Sequence, residues 1–190
     1  MRTSVTAKPS RLNSWGLGSA LIAAVFSVTA APAHASGASL SAYVQCRNAA
    51  VTHFPGTIVD AAIATPELST LVNLVVAADL VGPLSGKGPL TVFAPTNDAF
   101  AKVPAPLLSL IGSNTDLLTS VLTYHVTPGT VDPRRPLLPS QVKTLQGQSV
   151  FVGFDADGAS VNQSVAACKG VKTTNGTVWI IDSVLLPQFK

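Results

Sequence analysis

His125 is the residue in this chain best suited to catalysis or metal binding, because an imidazole can act as a general base or as a metal ligand. It directly follows Tyr124. A hydrolase would also need a nucleophile, and the sequence has no G-x-S-x-G motif to present a serine. Distance along the sequence does not exclude a triad assembled by the fold. The residue pattern nevertheless favours a protein that is not an enzyme.

Acidic and cysteine residues give little support for a metal site. Asp155-Ala-Asp157-Gly158 is similar to the start of a calcium loop, but such a loop needs glycine at its sixth position and glutamate at its twelfth. A hairpin turn explains this segment better. Cys46 and Cys168 are the only cysteines, and neither a CxxC nor an HxxxH spacing occurs. We therefore expect no metal and no other cofactor.

The segment Val81–Pro89 contains Gly86-Lys87 but lacks the glycine spacing and the following Ser or Thr of a phosphate-binding loop. It is predicted to be an ordinary turn.

Residues 1–35 are predicted to be an export signal. Three basic residues precede an uncharged stretch, Trp15–Ala30, and the small residues Ala33 and Ala35 match a signal peptidase site. Cleavage is expected between Ala35 and Ser36. The uncharged stretch is shorter than the roughly 20 residues of a membrane-spanning helix. An uncleaved N-terminal anchor is the alternative.

Residues 36–190 have the size of one domain with a substantial core. Three of the twelve Lys and Arg residues belong to the predicted signal, so nine basic residues balance nine acidic ones in the remainder. This balance leaves no basic footprint for nucleic acid. Arg134-Arg135, the only adjacent basic pair after residue 35, lies between prolines and is predicted to be solvated.

Hydrophobic periodicity predicts helices in the first part of this domain and strands in the last, which is typical of an α+β fold. The expected helix caps are Ser39, Thr57, Thr96 and either Ser113 or Asn114. Helices are predicted at residues 39–50, 58–64, 67–80 and 107–111, directly after Thr96, and leading into Tyr124. Strands are predicted at residues 90–95, 141–145, 149–154, 159–164, 170–174 and 178–186, with Asn175-Gly176 as a hairpin turn.

Three segments resemble the two signature blocks and the intervening Tyr-His motif of the fasciclin domain, an extracellular adhesion module. They are LTVFAPTNDAF at Leu90–Phe100, LTYHV at Leu122–Val126 and NGTVWIIDSVLLP at Asn175–Pro187. The resemblance extends from about Ser39 to Pro187. The first block includes Thr91, Phe93, Ala94, Pro95, Thr96, Asn97, Asp98 and Phe100, and the second includes Asn175, Gly176, Val178, Ile181, Asp182, Val184 and Leu185.

The resemblance implies a β-wedge of two small sheets with N-terminal and flanking helices. It is greatest to small secreted single-domain bacterial members, including secreted immunogenic antigens of mycobacteria, and no internal repeat indicates a second copy.

An exported chain with two cysteines most simply forms one disulfide. Those relatives likewise have one cysteine in the first helix and one before the last hairpin, as Cys46 and Cys168 stand here.

The implied function is adhesion, without catalysis, in a secreted, periplasmic or surface-associated protein. Its partner would be a cell-surface or matrix protein or polysaccharide. In the family the Tyr-His pair has been implicated in receptor binding, which suggests that role for Tyr124 and His125. The alternative is that both side chains satisfy buried polar groups where a helix meets a strand. A second functional hypothesis, a carrier or sensor of a small apolar ligand, rests on the excess of apolar over charged residues.

Overall fold

The computed structural model describes residues 40–136, 138–155 and 157–189. The predicted export signal, its cleavage site and the Ser39 cap lie outside these residues. The helices are α1 (Leu40–Asn48), α2 (Ile58–Ile63), a 3-10 turn (Pro66–Leu68), α3 (Ser69–Ala77), α4 (Val81–Ser85), α5 (Asn97–Ala101), α6 (Ala105–Ser113) and α7 (Thr115–Tyr124). The strands are β1 (Thr52–His53), β2 (Leu90–Pro95), β3 (Val126–Pro128), β4 (Ser140–Lys143), β5 (Ser149–Asp155), β6 (Gly158–Val161), β7 (Ser164–Val165), β8 (Val171–Lys172) and β9 (Gly176–Ile181).

Two sheets form the wedge. The first sheet has the order β1-β8-β9-β2-β3, with β9 at its centre, and the second sheet is β4-β5-β6-β7. Strand β9 pairs in parallel with β2 from Leu90↔Gly176 to Pro95↔Ile181. All pairs in the second sheet are antiparallel. The α+β class and the wedge of two small sheets are confirmed.

Alternate residues of the first sheet face two different hydrophobic cores. Val92 and Val178 pack against helices α2 to α7, whereas Phe93 and Trp179 pack against residues of the second sheet such as Val150. Because side chains alternate along a strand, a one-residue slip of β9 would exchange these two faces. Burial on both faces therefore fixes the register of the central strands.

The predicted caps of α2, α5 and α7 are present. Thr57 and Asp60 form a capping box on α2, and the Thr96 hydroxyl accepts a hydrogen bond from the backbone N–H of Ala99. The side chain of Asn114 accepts two backbone N–H groups at the start of α7. These caps follow from residue type and position alone, since each uses donors within three residues of the cap.

The helical segment predicted at residues 67–80 is shorter than expected. It begins as a 3-10 turn, α3 ends at Ala77, and Asp79 adopts a left-handed φ of 54°.

The turn predicted at Val81–Pro89 is wrong in its first half, which is α4. Pro83 lies in the first turn of α4, where a missing N–H leaves no helical hydrogen bond unmade. Leu84 is buried in the core between the helices and the first sheet, and this packing favours the helix.

The last hairpin is displaced by one residue from its predicted position. The backbone N–H of Thr173 donates to Gly176 O at 2.9 Å, so the two central residues are Thr174 and Asn175. Gly176 is predicted to be needed for the turn, but the structure requires glycine there because strand β2 approaches closely. A Cβ at this position would collide with the carbonyl oxygen of Leu90 on the paired strand β2.

The strand predicted at residues 159–164 is divided into β6 and β7. Asn162 adopts a φ of 52° and reverses the chain between Val161 and Ser164, which pair directly. The hairpin turn predicted for the segment from Asp155 to Gly158 is confirmed, because Asp155 pairs with Gly158, which has a φ of 125°.

Candidate interaction site

Tyr124 ends α7 inside the wedge. Its side chain is 5% exposed, and its hydroxyl donates to Ser149 O and accepts from Asn162 Nδ2, each at 3.2 Å. These contacts join the helix to the first residue of β5 and to the β6–β7 turn. The tyrosine therefore connects the helical layer with the second sheet.

His125 follows as the C-cap of α7 and is 2% exposed. Its Nδ1 lies 2.8 Å from Val121 O, and its Nε2 accepts the backbone N–H of Leu185 at 2.9 Å. A carbonyl oxygen can only accept and an amide N–H can only donate, so this pattern requires a neutral imidazole with its proton on Nδ1. Both ring nitrogens are occupied by the backbone of the domain itself.

The structure thus brings Tyr124 and His125 together in the interior, with each ring joined to backbone groups distant in sequence. This geometry agrees with the alternative that the pair satisfies buried polar groups. Among the described residues, no buried side-chain nitrogen or oxygen lacks a hydrogen-bond partner. A partner could form a new hydrogen bond with His125 only if one of these backbone contacts broke.

Burial lowers the pKa of His125 from 6.5 to about 4, because the charged imidazolium would be desolvated. The hydrogen bond to Val121 opposes this shift but does not cancel it. Both the buried environment and the hydrogen-bond pattern favour the neutral ring.

We expect the stability of the domain to fall as the pH drops from about 6.5 to about 4. In this window the unfolded chain takes up a proton at His125, whereas the folded chain does not. The loss attributable to this residue approaches about 3 kcal/mol below the folded pKa. Urea unfolding of wild type and His125→Gln between pH 7.5 and 4 measures it, because the variant should have a smaller pH dependence. His53→Gln, at an exposed position, serves as the control and should keep the wild-type dependence. Equal dependence in all three proteins would contradict the assignment.

The first fasciclin-like block stabilises the junction between helices and the first sheet. The side chain of Asn97 accepts the N–H of Thr70 at 2.9 Å and donates to Pro66 O at 3.2 Å, which joins the start of α5 to the start of α3. Thr91 is fully buried and its hydroxyl donates to Gly129 O. Asp98 is exposed in the first turn of α5, where the helix dipole favours an acid.

The second block makes hydrogen bonds to two helices and to the second sheet. Asn175 Oδ1 accepts the N–H of Ile58 at 2.9 Å, and its Nδ2 donates to Leu84 O at 2.8 Å and Gly86 O at 3.0 Å. Asp182 Oδ1 accepts the N–H of Val165 at 2.8 Å. The remaining members Val178, Ile181, Val184 and Leu185 are buried or half-buried apolar residues.

Replacing Asn175 by Ala is expected to lower the free energy of unfolding by about 2–3 kcal/mol, because backbone groups of two helices lose their partner. Urea denaturation measures the loss. Asn73→Ala on the exposed side of α3 is the matched control and should change stability by less than about 0.5 kcal/mol. Similar losses in both variants would show that Asn175 does not hold these segments together.

Arg134 is a structural residue that the sequence did not reveal. The predicted solvated Arg134-Arg135 pair is wrong for its first member, which is 5% exposed, whereas the Arg135 side chain is 76% exposed. Arg134 donates from Nε and Nη2 to Asp132 at 2.9 and 2.8 Å, and its guanidinium lies 4.7 Å from the centre of the Trp179 ring. The signal in the sequence was Asp132, two residues earlier, whose side chain also accepts the N–H of Arg134.

The charge of this pair is compensated. Partial burial alone would raise the pKa of Asp132, but the hydrogen bonds and positive charge of Arg134 lower it overall, with a smaller contribution from Arg135. Asp132 is therefore ionised at neutral pH and balances the buried guanidinium.

The Arg134 Nη1 atom adjoins the disulfide. Cys46 of α1 is bonded to Cys168 in the segment before β8, as expected, across a sequence separation of 122. Nη1 donates to Ala49 O at 2.7 Å, to Cys168 O at 3.1 Å and to Cys46 O at 3.4 Å. One guanidinium thus joins the same two segments that the covalent bond joins.

A fasciclin domain profile matches residues 66–187, which include both blocks and the Tyr-His pair. Protein sll1483 of Synechocystis sp. is 41% identical over 140 residues, covering 73% of this chain and 77% of that protein. Immunogenic protein MPB70 of Mycobacterium bovis is 44% identical over 132 residues, covering 67% of each chain. Cell surface glycolipoprotein MPB83 of Mycobacterium bovis is 41% identical over 135 residues, covering 68% of this chain and 60% of that protein.

Among solved structures, a FAS1 domain pair from the insect cell adhesion molecule fasciclin I is similar with a TM-score of 0.42 and 18% identity. The match covers 63% of this chain and 45% of that chain. In the described part of the present chain, no helix has the length and hydropathy needed to cross a membrane.

Proposed function

Because the chain belongs to the fasciclin domain family, we propose that it is an interaction module that works outside the cytoplasm, either secreted or held at the cell surface. The proposal is supported by the relatives: one is named a cell surface glycolipoprotein and another an immunogenic protein. Its partner would be a protein or polysaccharide of the envelope or the surrounding matrix.

The hydrogen bonds of both His125 ring nitrogens to backbone groups are the observation that carries the non-enzymatic part of this proposal. A general base must reach the proton that it abstracts. The only other histidine after residue 35 is His53, which lies exposed at the edge of the first sheet. A rigid domain that presents surface loops is the reading that uses these features without requiring the interior to open.

Binding of the exported protein to envelopes of the source organism, measured as a dose-response, tests the proposal. We expect saturable binding that is unchanged in His53→Ala. Tyr124→Phe, checked for unaltered melting, should also bind normally, because its hydroxyl faces the interior. Weaker binding by a fully folded Tyr124→Phe protein would instead place the contact at the Tyr-His pair. No saturable binding would reject the proposed function.

A specific observation also favours the second candidate, a carrier of a small apolar ligand. A pocket of about 150 Å³ lies between the first sheet and helices α2, α3 and α4, and every side chain that lines it except His125 is aliphatic. Ile63 and Val76, two of its lining residues, are 63% and 60% exposed. An apolar cavity of about this volume can hold a benzene-sized molecule.

Native mass spectrometry of the protein purified from two different hosts tests the carrier hypothesis. A defined mass adduct that disappears in Ala62→Leu, which would fill the pocket from α2, would support it. The exposed neighbour Ala64→Leu is the control and should retain the adduct. Unliganded protein from both hosts would count against a carrier.

A further inference from the structure

We propose that a groove lined in part by Arg134 binds an acidic polysaccharide chain. This cationic groove has a volume of about 1240 Å³ and is lined by Lys87, Arg135 and Lys172, with Thr177 and Trp179 of β9 among its other residues. The inference rests on the proposed surface function and specifies the chemical class of the partner.

Positive charge is concentrated in this groove. The described residues include eight Lys or Arg and nine Asp or Glu, because Arg2, Lys8, Arg11 and Lys190 lie outside them. The groove is lined by four of the eight basic residues but by only one of the nine acidic residues, Asp132. A domain with almost no net charge therefore has one strongly positive concave surface, which attracts polyanions.

Asp132, the acidic residue that lines the groove, does not neutralise the positive charge of the groove. Asp132 is already paired with the buried Arg134 at 2.8 Å, and its second cation, Arg135, lies at 3.5 Å with a largely exposed side chain. The donors of Arg134 are directed to Asp132 and to backbone carbonyls. The cations free to contact a ligand are therefore the exposed Lys87, Arg135 and Lys172.

These three cations come from three different segments. Lys87 lies between α4 and β2, and Arg135 lies in the connection between β3 and β4. Lys172 pairs with His53 on one side and with Thr177 on the other. Because paired residues share a face, Lys172, His53 and Thr177 project from the same face of the first sheet. Charges that three separate segments contribute to one groove suit a chain with repeated negative charge better than a single small anion. The exposed hydroxyls of Ser85 and Thr130 in the lining can serve sugar hydroxyls.

The lining argues against two other anionic partners. A membrane would require exposed apolar side chains, but Ile63, Val76 and Phe151, which are exposed, do not line the groove. Single-stranded nucleic acid would require an accessible aromatic ring for stacking. Trp179 is 2% exposed, and the Arg134 guanidinium lies over its ring.

The test compares two double variants of the exported protein that remove the same charge. Lys87→Gln/Lys172→Gln changes the groove, whereas Lys102→Gln/Lys143→Gln changes exposed cations that do not line it. The probes are heparin and polygalacturonate, with neutral dextran as the control ligand, titrated at several salt concentrations. Melting curves establish that all proteins are folded.

We expect wild type to bind both acidic polysaccharides and not dextran. The groove variant should bind about tenfold more weakly, with a slope of log Kd against log salt reduced by about one to two. The control variant should change less than about twofold. Equal weakening in both variants would overturn the inference, as would equal binding of dextran or tighter binding of duplex DNA or of anionic phosphatidylserine vesicles.

The same variants separate this inference from the proposed function. Saturable envelope binding that is unaffected by Lys87→Gln/Lys172→Gln and by soluble polygalacturonate would reject the groove and leave the surface function standing. Groove-dependent binding of polysaccharide without saturable binding to envelopes would reject the surface function and leave the groove standing. Envelope binding that weakens in the groove variant and competes with polygalacturonate would support both.

Discussion

Replacing Cys46 and Cys168 together by serine is expected to lower the free energy of unfolding by about 4–5 kcal/mol. The disulfide joins residues separated by 122 positions and so removes a large loop-closure entropy from the unfolded chain. Domains of this size have a total stability of about 5–15 kcal/mol, so the loss would be a large part of it. Urea unfolding of the double variant and of the oxidised wild type measures the difference.

Reduced wild type provides the control for this prediction. It retains both sulfur atoms but lacks the cross-link, and its unfolding curve should lie close to that of the double serine variant. Any remaining difference reports the cost of placing a hydroxyl at Cys46, which is 5% exposed. Titratable thiols in the untreated protein, together with an unchanged melting temperature on reduction, would disprove the bridge.

Replacing Arg134 by Met is expected to destabilise the domain by about 3–5 kcal/mol, because a partly buried carboxylate loses its counter-ion. Asp132 would keep only the weaker contact with the exposed Arg135. The carbonyl groups of Ala49, Cys46 and Cys168 would also lose a donor. Equilibrium unfolding in urea at neutral pH measures the effect, with the disulfide intact in all proteins.

Arg135→Met is the matched control, since it removes the same charge from the neighbouring exposed position. It should alter stability by less than about 0.5 kcal/mol. The double variant Asp132→Asn/Arg134→Met should recover part of the loss, because it leaves no unpaired charge. If Arg134→Met and Arg135→Met were equally mild, the buried ion pair would contribute nothing to stability.

The predictions that the structure confirms rest on signals a few residues long. Thr57, Thr96 and Asn114 cap helices because their side chains reach backbone donors within one turn. Gly158 begins β6 directly after the turn, at a positive φ that glycine adopts without steric cost. Each of these features is decided locally.

The wrong predictions concern places where distant segments determine the conformation. The last hairpin is one residue away from the expected Asn175-Gly176 turn because Gly176 is needed for the close approach of Leu90. Arg134 is buried because Trp179, Cys46 and Cys168 surround it from other parts of the chain. No pattern within a few residues of either position records those neighbours.

The sequence by itself determined the α+β class, the family blocks, the pairing of its only two cysteines and most helix starts. Tertiary structure alone decided that Tyr124 contacts a strand 25 residues away and that His125 accepts a hydrogen bond from a residue 60 positions later. It also decided that Lys87, Arg135 and Lys172 line one groove. The physical reason is range: caps and turns depend on adjacent atoms, whereas burial, pKa and surface charge depend on which distant segments the two cores bring together.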